Sequence, residues 1–181
     1  MNKNLNQKLK IFSEVIKAIP EIAYIGDPVL RSKSKNVSLN EGTKIGKKLG
    51  EVLVKYRKIA GFGRGLAAPQ IGLNSAVFVT FVEDKIEIYI NPKIIKNSKR
   101  KNYFRELCLS SGFTWADVKR SESVTLGWTS IDGKTHKKQF DSFMARLIQH
   151  EYSHLQGEVN LDIAEKGSIE FAGDPLLEKL R

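Results

Sequence analysis

Three features of the sequence predict an α+β fold. Apolar residues recur every three or four positions near both ends, alternating apolar runs fill the middle, and pairs of these runs are joined by tight turns. Helix, helix, several antiparallel strands and a last helix follow one another along the chain, and elements segregated in this way make an α+β domain.

Leu5, Leu9, Phe12, Ile16 and Ile19 space an amphipathic helix that Pro20 closes. In the following stretch, "YIGDPVLRSKSKNVSLNEG", Asp27-Pro28 and the Ser/Lys/Asn run break periodicity, which predicts a loop. Ile45, Leu49, Val52 and Tyr56 line a second helix. "GFGRGLAAPQIG" is glycine-rich and taken alone reads as a flexible loop, with Gln70 on the surface. "SAVFVTFV" and "KIEIYINP" read as strands joined tightly at Glu83-Asp84, and "SVTLGWTSIDGKTHKKQF" as a hairpin turning at Asp132-Gly133. Phe143, Met144, Leu147, Ile148 and Leu155 set a final helical period, with Gly157 as its natural end. No internal repeat, low-complexity tract or linker interrupts the chain.

A chain of 181 residues, 41% apolar and 28% charged, is expected to form one soluble globular domain. No apolar run approaches the ~20 residues that cross a bilayer. The start, "MNKNLNQKLKIFSEVIKAIP", lacks the apolar core and cleavage site of a secretory signal and is poor in Arg. The expected location is therefore cytoplasmic, and a lone cysteine, Cys108, fits a reducing compartment. Thirty Lys and Arg against twenty Asp and Glu give a net charge of +10. Such a surface would suit proximity to a polyanion such as ribosomal RNA, although no nucleic-acid-binding motif accompanies it.

"QHEYSHLQGE" carries the chemistry. Four helical residues turn through about 400°, so His150 and His154 share one face and can reach one ion. Glu151 lies beside them, close enough to take a proton from an activated water. Two imidazoles hold a metal poorly, so a third donor is needed. Asn160 stands where the long zinc-protease motif places a third histidine, and asparagine is a poor zinc ligand. Glu165 or Glu170 would serve in a thermolysin-like peptidase, although nothing around them resembles that motif. Cys108 is the remaining soft donor, and a thiolate with two imidazoles leaves a fourth position for water. A lone cysteine is otherwise most often a small core residue. His136, in "KTHKKQ", reads as an ordinary residue on an exposed strand.

"GRGLAAPQ" (Gly63 to Gln70), "ELCLS" (Glu106 to Ser110) and "QHEYSH" (Gln149 to His154) resemble, in order and rough spacing, the three motifs of the peptide deformylase family. "GDPVLR" (Gly26 to Arg31) resembles that family's N-terminal region. The resemblance covers about Ile25 to Gly157. It implies a deformylase-like catalytic domain over residues 21–181, with antiparallel sheets around the His-Glu-x-x-His helix, and residues 1–20 as an added N-terminal helix. It further implies one divalent ion held by Cys108, His150 and His154: natively Fe(II), with zinc, nickel or cobalt as replacements. Glu151 would be the general base, Gln70 and the Leu109 N–H would stabilise the oxyanion, and Gly65 would permit close backbone approach. The activity implied is hydrolysis of the formyl group from N-terminal methionine of nascent polypeptides, releasing formate.

The family's second motif is usually Glu-Gly-Cys-Leu-Ser followed shortly by Pro. Leu107 replaces that glycine here, and "SGF" follows. The walls expected around the substrate's first side chain are Phe104, Phe143 and Leu147, but Arg64 and Arg146 stand where the family tends to apolar residues. Two guanidiniums beside an apolar pocket must reach solvent, pair with acids or bind an anionic ligand. They either leave the pocket, with Leu107 accommodated by small backbone shifts, or they change substrate preference. A peptidase with an acidic third ligand, and a non-catalytic binding protein on the same fold, are the alternatives.

Overall fold

The computed structural model describes residues 3–171, without the side chains of residues 3–6 and of Phe171. The Leu5 side chain and the terminal "DPLLEKLR" therefore lie outside the described residues.

Among the described residues, three α-helices and eight strands follow the expected order. Helix α1 (Lys3–Ala18) ends before Pro20, and α2 (Leu39–Ala60) begins at Ser38, whose hydroxyl accepts from the Glu41 N–H. The predicted hairpins are β2 (Val77–Val82) with β3 (Lys85–Asn97), and β6 (Ser123–Thr129) with β7 (Thr135–Asp141). Glu83 and Asp84 both take positive φ, 51° and 56°, which matches the right-handed twist of the strands they connect. The last helix, α3 (Ser142–Leu155), runs through both motif histidines, and Gly157 follows its end.

Two segments depart from the expected reading. The glycine-rich stretch is ordered as β1 (Gly65–Ala67) and a 3-10 turn, Ala68–Ile71, with Gln70 buried in it. From Leu66 to Ile71 it is buried, regular structure, while residues 61–64 are a mostly exposed connection. The region around "FRELC" forms a hairpin that the apolar pattern does not announce: β4 (Lys101–Leu107) and β5 (Thr114–Ser121), joined by β8 (Glu170–Phe171) into a three-stranded antiparallel sheet.

The larger sheet has the order β1-β2-β3-β6-β7, antiparallel throughout. Alternation along β2 divides the core. Val77 and Val79 face a cluster built with Val15 of α1, Ile19 just beyond its end, and Leu49, Val52 and Leu53 of α2. Phe78, on the other side, joins Tyr89, Leu126 and Trp128 against Ala145, Ile148 and Leu155 of α3. Helix α2 lies close on β3 because glycines recur on its buried face. A Cβ at Gly42, Gly46 or Gly50 would meet Ile90, Ile88 and Ile86 at 2.5, 2.3 and 3.1 Å respectively. Buried α3 is thus fixed from the sheet side, with its polar motif turned toward β1 and the β4–β5 hairpin.

Candidate metal centre

Three separate elements deliver the site. Helix α3 carries His150, Glu151 and His154 one turn apart. Cys108 follows β4 and caps the 3-10 turn Leu109–Ser111. Gln70 lies in the 3-10 turn, Ala68–Ile71, that follows β1. The ligand atoms of Cys108, His150 and His154 lie within 4.8 Å of one another, and Cys108 Sγ is 3.2 Å from His154 Nε2. The predicted trio therefore converges, with Cys108 and His154 each 1% exposed. Glu165 and Glu170 are exposed, and Glu170 pairs with Arg105 at 2.8 Å. An acidic third ligand is therefore not the arrangement of this chain.

Burial alone would push the Cys108 thiol up, but the adjoining His154 and His150 pull it well below the ordinary thiol range. Burial would lower His150, and the Cys108 sulfur and Glu106 carboxylate outweigh it and raise it. A thiolate and two imidazoles in one buried cluster form the soft sulfur and nitrogen donor set that fits a divalent transition metal. His154 Nδ1 and Glu151 Oε2 are buried with no partner among the described residues.

Glu106 anchors this cluster, and sequence reasoning quoted it only as a flank of the cysteine motif. Its Oε2 sits 2.8 Å from His150 Nδ1, and both its oxygens accept from Arg120, at 2.7 and 2.9 Å. Burial would raise its pKa, but His150 and Arg120 hold it well below the usual carboxylate range. An ionised carboxylate only accepts, so His150 Nδ1 must carry the hydrogen and Nε2 is left to face Cys108. Arg120 also donates to Ser153 Oγ at 3.1 Å, tying β5 to α3. Asn160 is buried and donates to the Glu106 carbonyl at 3.3 Å. One signal in the sequence was available: on a strand, Glu106 two residues before Cys108 points to the same side. Arg120 likewise continues the inward row of Ala116 and Val118.

Glu151 is 3% exposed, and burial first of all raises its carboxyl to about 7. Gly65 explains how so large a side chain fits. A Cβ there would stand 2.3 Å from Glu151 Oε1, so only glycine lets β1 pass against the carboxylate. Gln70 is fixed at its oxygen end, where Oε1 accepts from the Ala67 N–H at 2.8 Å. Its amide nitrogen then points at Cys108 Sγ, 3.6 Å away, and at Ser110 Oγ, 3.3 Å away. Leu109 opens its 3-10 turn, so its N–H has no acceptor within that turn.

The expected pocket residues are spread more widely. Phe104 and Phe143 are half-exposed, at 52% and 54%, while Leu147 is buried and Leu107 partly buried. Arg146 does not present a free charge. It donates to Glu106 Oε1 at 2.7 Å, to the Val118 carbonyl at 3.1 Å and to Asn102 Oδ1 at 2.6 Å, with its guanidinium 5.5 Å from the Phe104 ring. Arg64 is exposed. His136 packs flat on Trp128 near the start of β7, as an ordinary strand residue.

The family model described as polypeptide deformylase matches residues 19–168. A peptide deformylase from Pseudothermotoga lettingae is 41% identical over 147 residues, covering 80% of this chain and 82% of the relative. One from Dictyoglomus thermophilum is 36% identical over 154 residues, covering 83% and 96%. Among solved structures, the peptide deformylase of Thermotoga maritima superposes with a TM-score of 0.71 at 30% identity, covering 80% of this chain and 96% of that one. That of Synechococcus elongatus in complex with actinonin superposes with a TM-score of 0.72 at 33% identity, covering 81% and 79%.

Proposed function

The chain belongs to the polypeptide deformylase family and is a metal-dependent hydrolase that removes the formyl group from the N-terminal methionine of nascent polypeptides; we propose the following roles for its residues. The observation that carries them is the convergence of Cys108, His150 and His154 beside a buried Glu151.

Cys108, His150 and His154 would hold the ion, Fe(II) by preference, with zinc, nickel or cobalt as substitutes. When bound, such an ion supplies Lewis acidity to the formyl carbonyl and to a water. Glu151 accepts a proton from the attacking water and returns it to the departing amine. Its burial keeps it basic enough for the first step and acidic enough for the second. Gln70 Nε2 and the Leu109 N–H donate to the oxygen that becomes negative as the formyl carbon turns tetrahedral. Collapse of that centre breaks the C–N bond, leaving formate and the free α-amino group. Glu106 keeps the His150 ring turned toward the ion.

Phe104, Phe143 and Leu147 offer apolar contact to the methionine side chain, with Leu107 and Gly65 along the peptide backbone. Because the Arg146 guanidinium is engaged by Glu106, the Val118 carbonyl and Asn102, an apolar side chain remains compatible with this wall. Arg64, on the rim, meets solvent or the peptide beyond the first residue. Residues 21–181 would form the single catalytic domain, with residues 1–20 as an added helix. The net charge of +10 would suit work close to ribosomal RNA, with the cytoplasm as the expected location.

The test is formate release from formyl-Met-Ala-Ser by protein loaded anaerobically with Fe(II). Turnover is expected in the wild type and a loss of at least about a hundredfold in Glu151→Ala. Equal rates in the two would remove Glu151 from the role of base.

A further inference from the structure

We propose that α1 is a working part of the catalytic apparatus: through Phe12 it positions the loop Leu109–Phe113, and with it the Leu109 N–H, so that Phe12 is a positioning residue for formyl hydrolysis. The inference rests on the deformylase reading above and concerns a helix outside the residues that the family model matches.

Helix α1 meets the loop through Phe12. The Phe12 ring lies 4.8 Å from that of Phe113, and a Cβ on Gly112 would stand 3.5 Å from Phe12 Cζ, so the ring rests against the open side of the glycine. One helical turn on, Val15 belongs to the apolar cluster on which the Leu109 side chain packs. The same Phe12 ring meets Tyr24 edge-on at 5.3 Å. The Tyr24 hydroxyl is buried with no partner among the described residues, so aromatic packing rather than a hydrogen bond sets that side chain.

The loop needs such a grip. Gly112 sits at φ 64° and ψ −116°, a conformation open to glycine and strained for other residues. Glycine is also the residue least able to hold a conformation unaided. On its inner side the loop is fixed at Ser110, whose carbonyl accepts from the Ile25 N–H at 2.9 Å and whose hydroxyl accepts from Gln70 Nε2. Its outer side, Gly112 and Phe113, has Phe12 against it. Ser111 links that outer side to Leu109: its N–H and hydroxyl donate to the Cys108 carbonyl at 3.1 and 2.9 Å, in the peptide unit that carries the Leu109 N–H, and its own carbonyl accepts from Thr114 Oγ1 at 2.7 Å across Gly112 and Phe113. Removing the Phe12 ring takes the packing from this turn, and the shift reaches the Leu109 N–H through Ser111 with Cys108, Glu151 and Gln70 unsubstituted. Such a shift affects the transition state more than substrate binding, because the N–H bonds most strongly to the developing oxyanion.

The experiment compares Phe12→Ala, Phe12→Leu, Phe113→Ala, the Phe12→Ala/Phe113→Ala pair and wild type on formyl-Met-Ala-Ser, with metal content measured for each. Ile90→Ala, buried against Gly42, is the stability control. Phe12→Ala should lower kcat about tenfold with KM within about twofold, since small misplacements of an aligned group cost this much or more. Phe12→Leu should recover most of the rate, and the double variant should fall no further than the worse single. Ile90→Ala should lose thermal stability and keep its kcat. Unchanged kcat in Phe12→Ala, an equal fall in Ile90→Ala, or multiplying single effects would overturn the proposal. If Phe12→Ala does not fold, Phe113→Ala must show the same split, and a normal kcat there refutes it. A wild type without turnover would strike the deformylase reading instead. In that case the Leu109 amide resonance decides: it should move in Phe12→Ala and not in Ile90→Ala, and no movement defeats the inference.

Discussion

Glu106 is where the polar contacts behind the donor trio meet. Three donors from two elements, Arg120 on β5 and Arg146 and His150 on α3, converge on one buried carboxylate. Its folded pKa lies below its ordinary value of 4.5, so its contribution to stability is present above that pH and is lost as pH falls through and below it. Thermal melts should therefore show wild type losing stability between about pH 5 and pH 3, while Glu106→Gln, weaker at pH 7, changes less over that window. Parallel curves would exclude this carboxylate as a source of the acid sensitivity. Arg146→Leu should cost about 1–3 kcal/mol in urea unfolding, because it strips donors from Glu106, the Val118 carbonyl and Asn102. Arg64→Leu, at an exposed position, should cost nothing measurable. Gly65→Ala should keep its metal and lose at least about tenfold in kcat, since its Cβ displaces Glu151; full activity would show that the carboxylate moves aside freely. His150, Glu151 and His154 were legible because a helix has a fixed period. Glu106 and Arg120 were not, because a charged residue reads as surface until the inward face of its strand is known.

Legibility at the level of elements followed periodicity in the same way. The hairpins β2–β3 and β6–β7 alternate apolar and polar residues and turn at residues suited to turns, so both were visible. The β4–β5 hairpin hides because Tyr103 and Phe104 are half-exposed and Glu106 and Arg120 are buried, which inverts the usual pattern where the site needs charge inside. The glycine-rich segment hides for a related reason. Gly65 there serves close approach rather than flexibility, and composition alone does not separate the two. Helix α2 shows the same ambiguity, since Gly42, Gly46 and Gly50 would weaken a helix that had no β3 to pack on. Gly46→Ala gains about 1 kcal/mol of helix propensity but drives a methyl into Ile88, at a cost of about 1–3 kcal/mol. Net destabilisation is expected in denaturant unfolding, with Ile88→Ala in the same chain making the alanine at 46 less harmful. A stabilised single variant would mean that α2 is free to lift from the sheet.

Across the whole molecule, the site is where otherwise separate packing units meet. Helices α1 and α2 cover one face of the five-stranded sheet and α3 the other, while Cys108 arrives from the smaller sheet. Glu106 with Arg120 and Arg146 is one tie between that smaller sheet and α3, and the donor trio is the second. An ion held by Cys108, His150 and His154 would bind only when both units are in place, so its binding free energy adds to folding stability. At a free ion concentration a hundred times Kd this amounts to about 2.7 kcal/mol. For a chain of this length, each kcal/mol moves Tm by about 2–4 °C. Chelator-stripped protein should therefore melt about 5–10 °C below protein loaded with Fe(II), nickel or zinc, and re-addition should restore the difference. Cys108→Ser should abolish most of that shift, because a hydroxyl is a poor ligand for these ions, while Glu151→Gln should preserve it. Melting curves indifferent to chelator in the wild type would show that the trio packs without holding an ion, and the catalytic roles assigned around it would fall with that result.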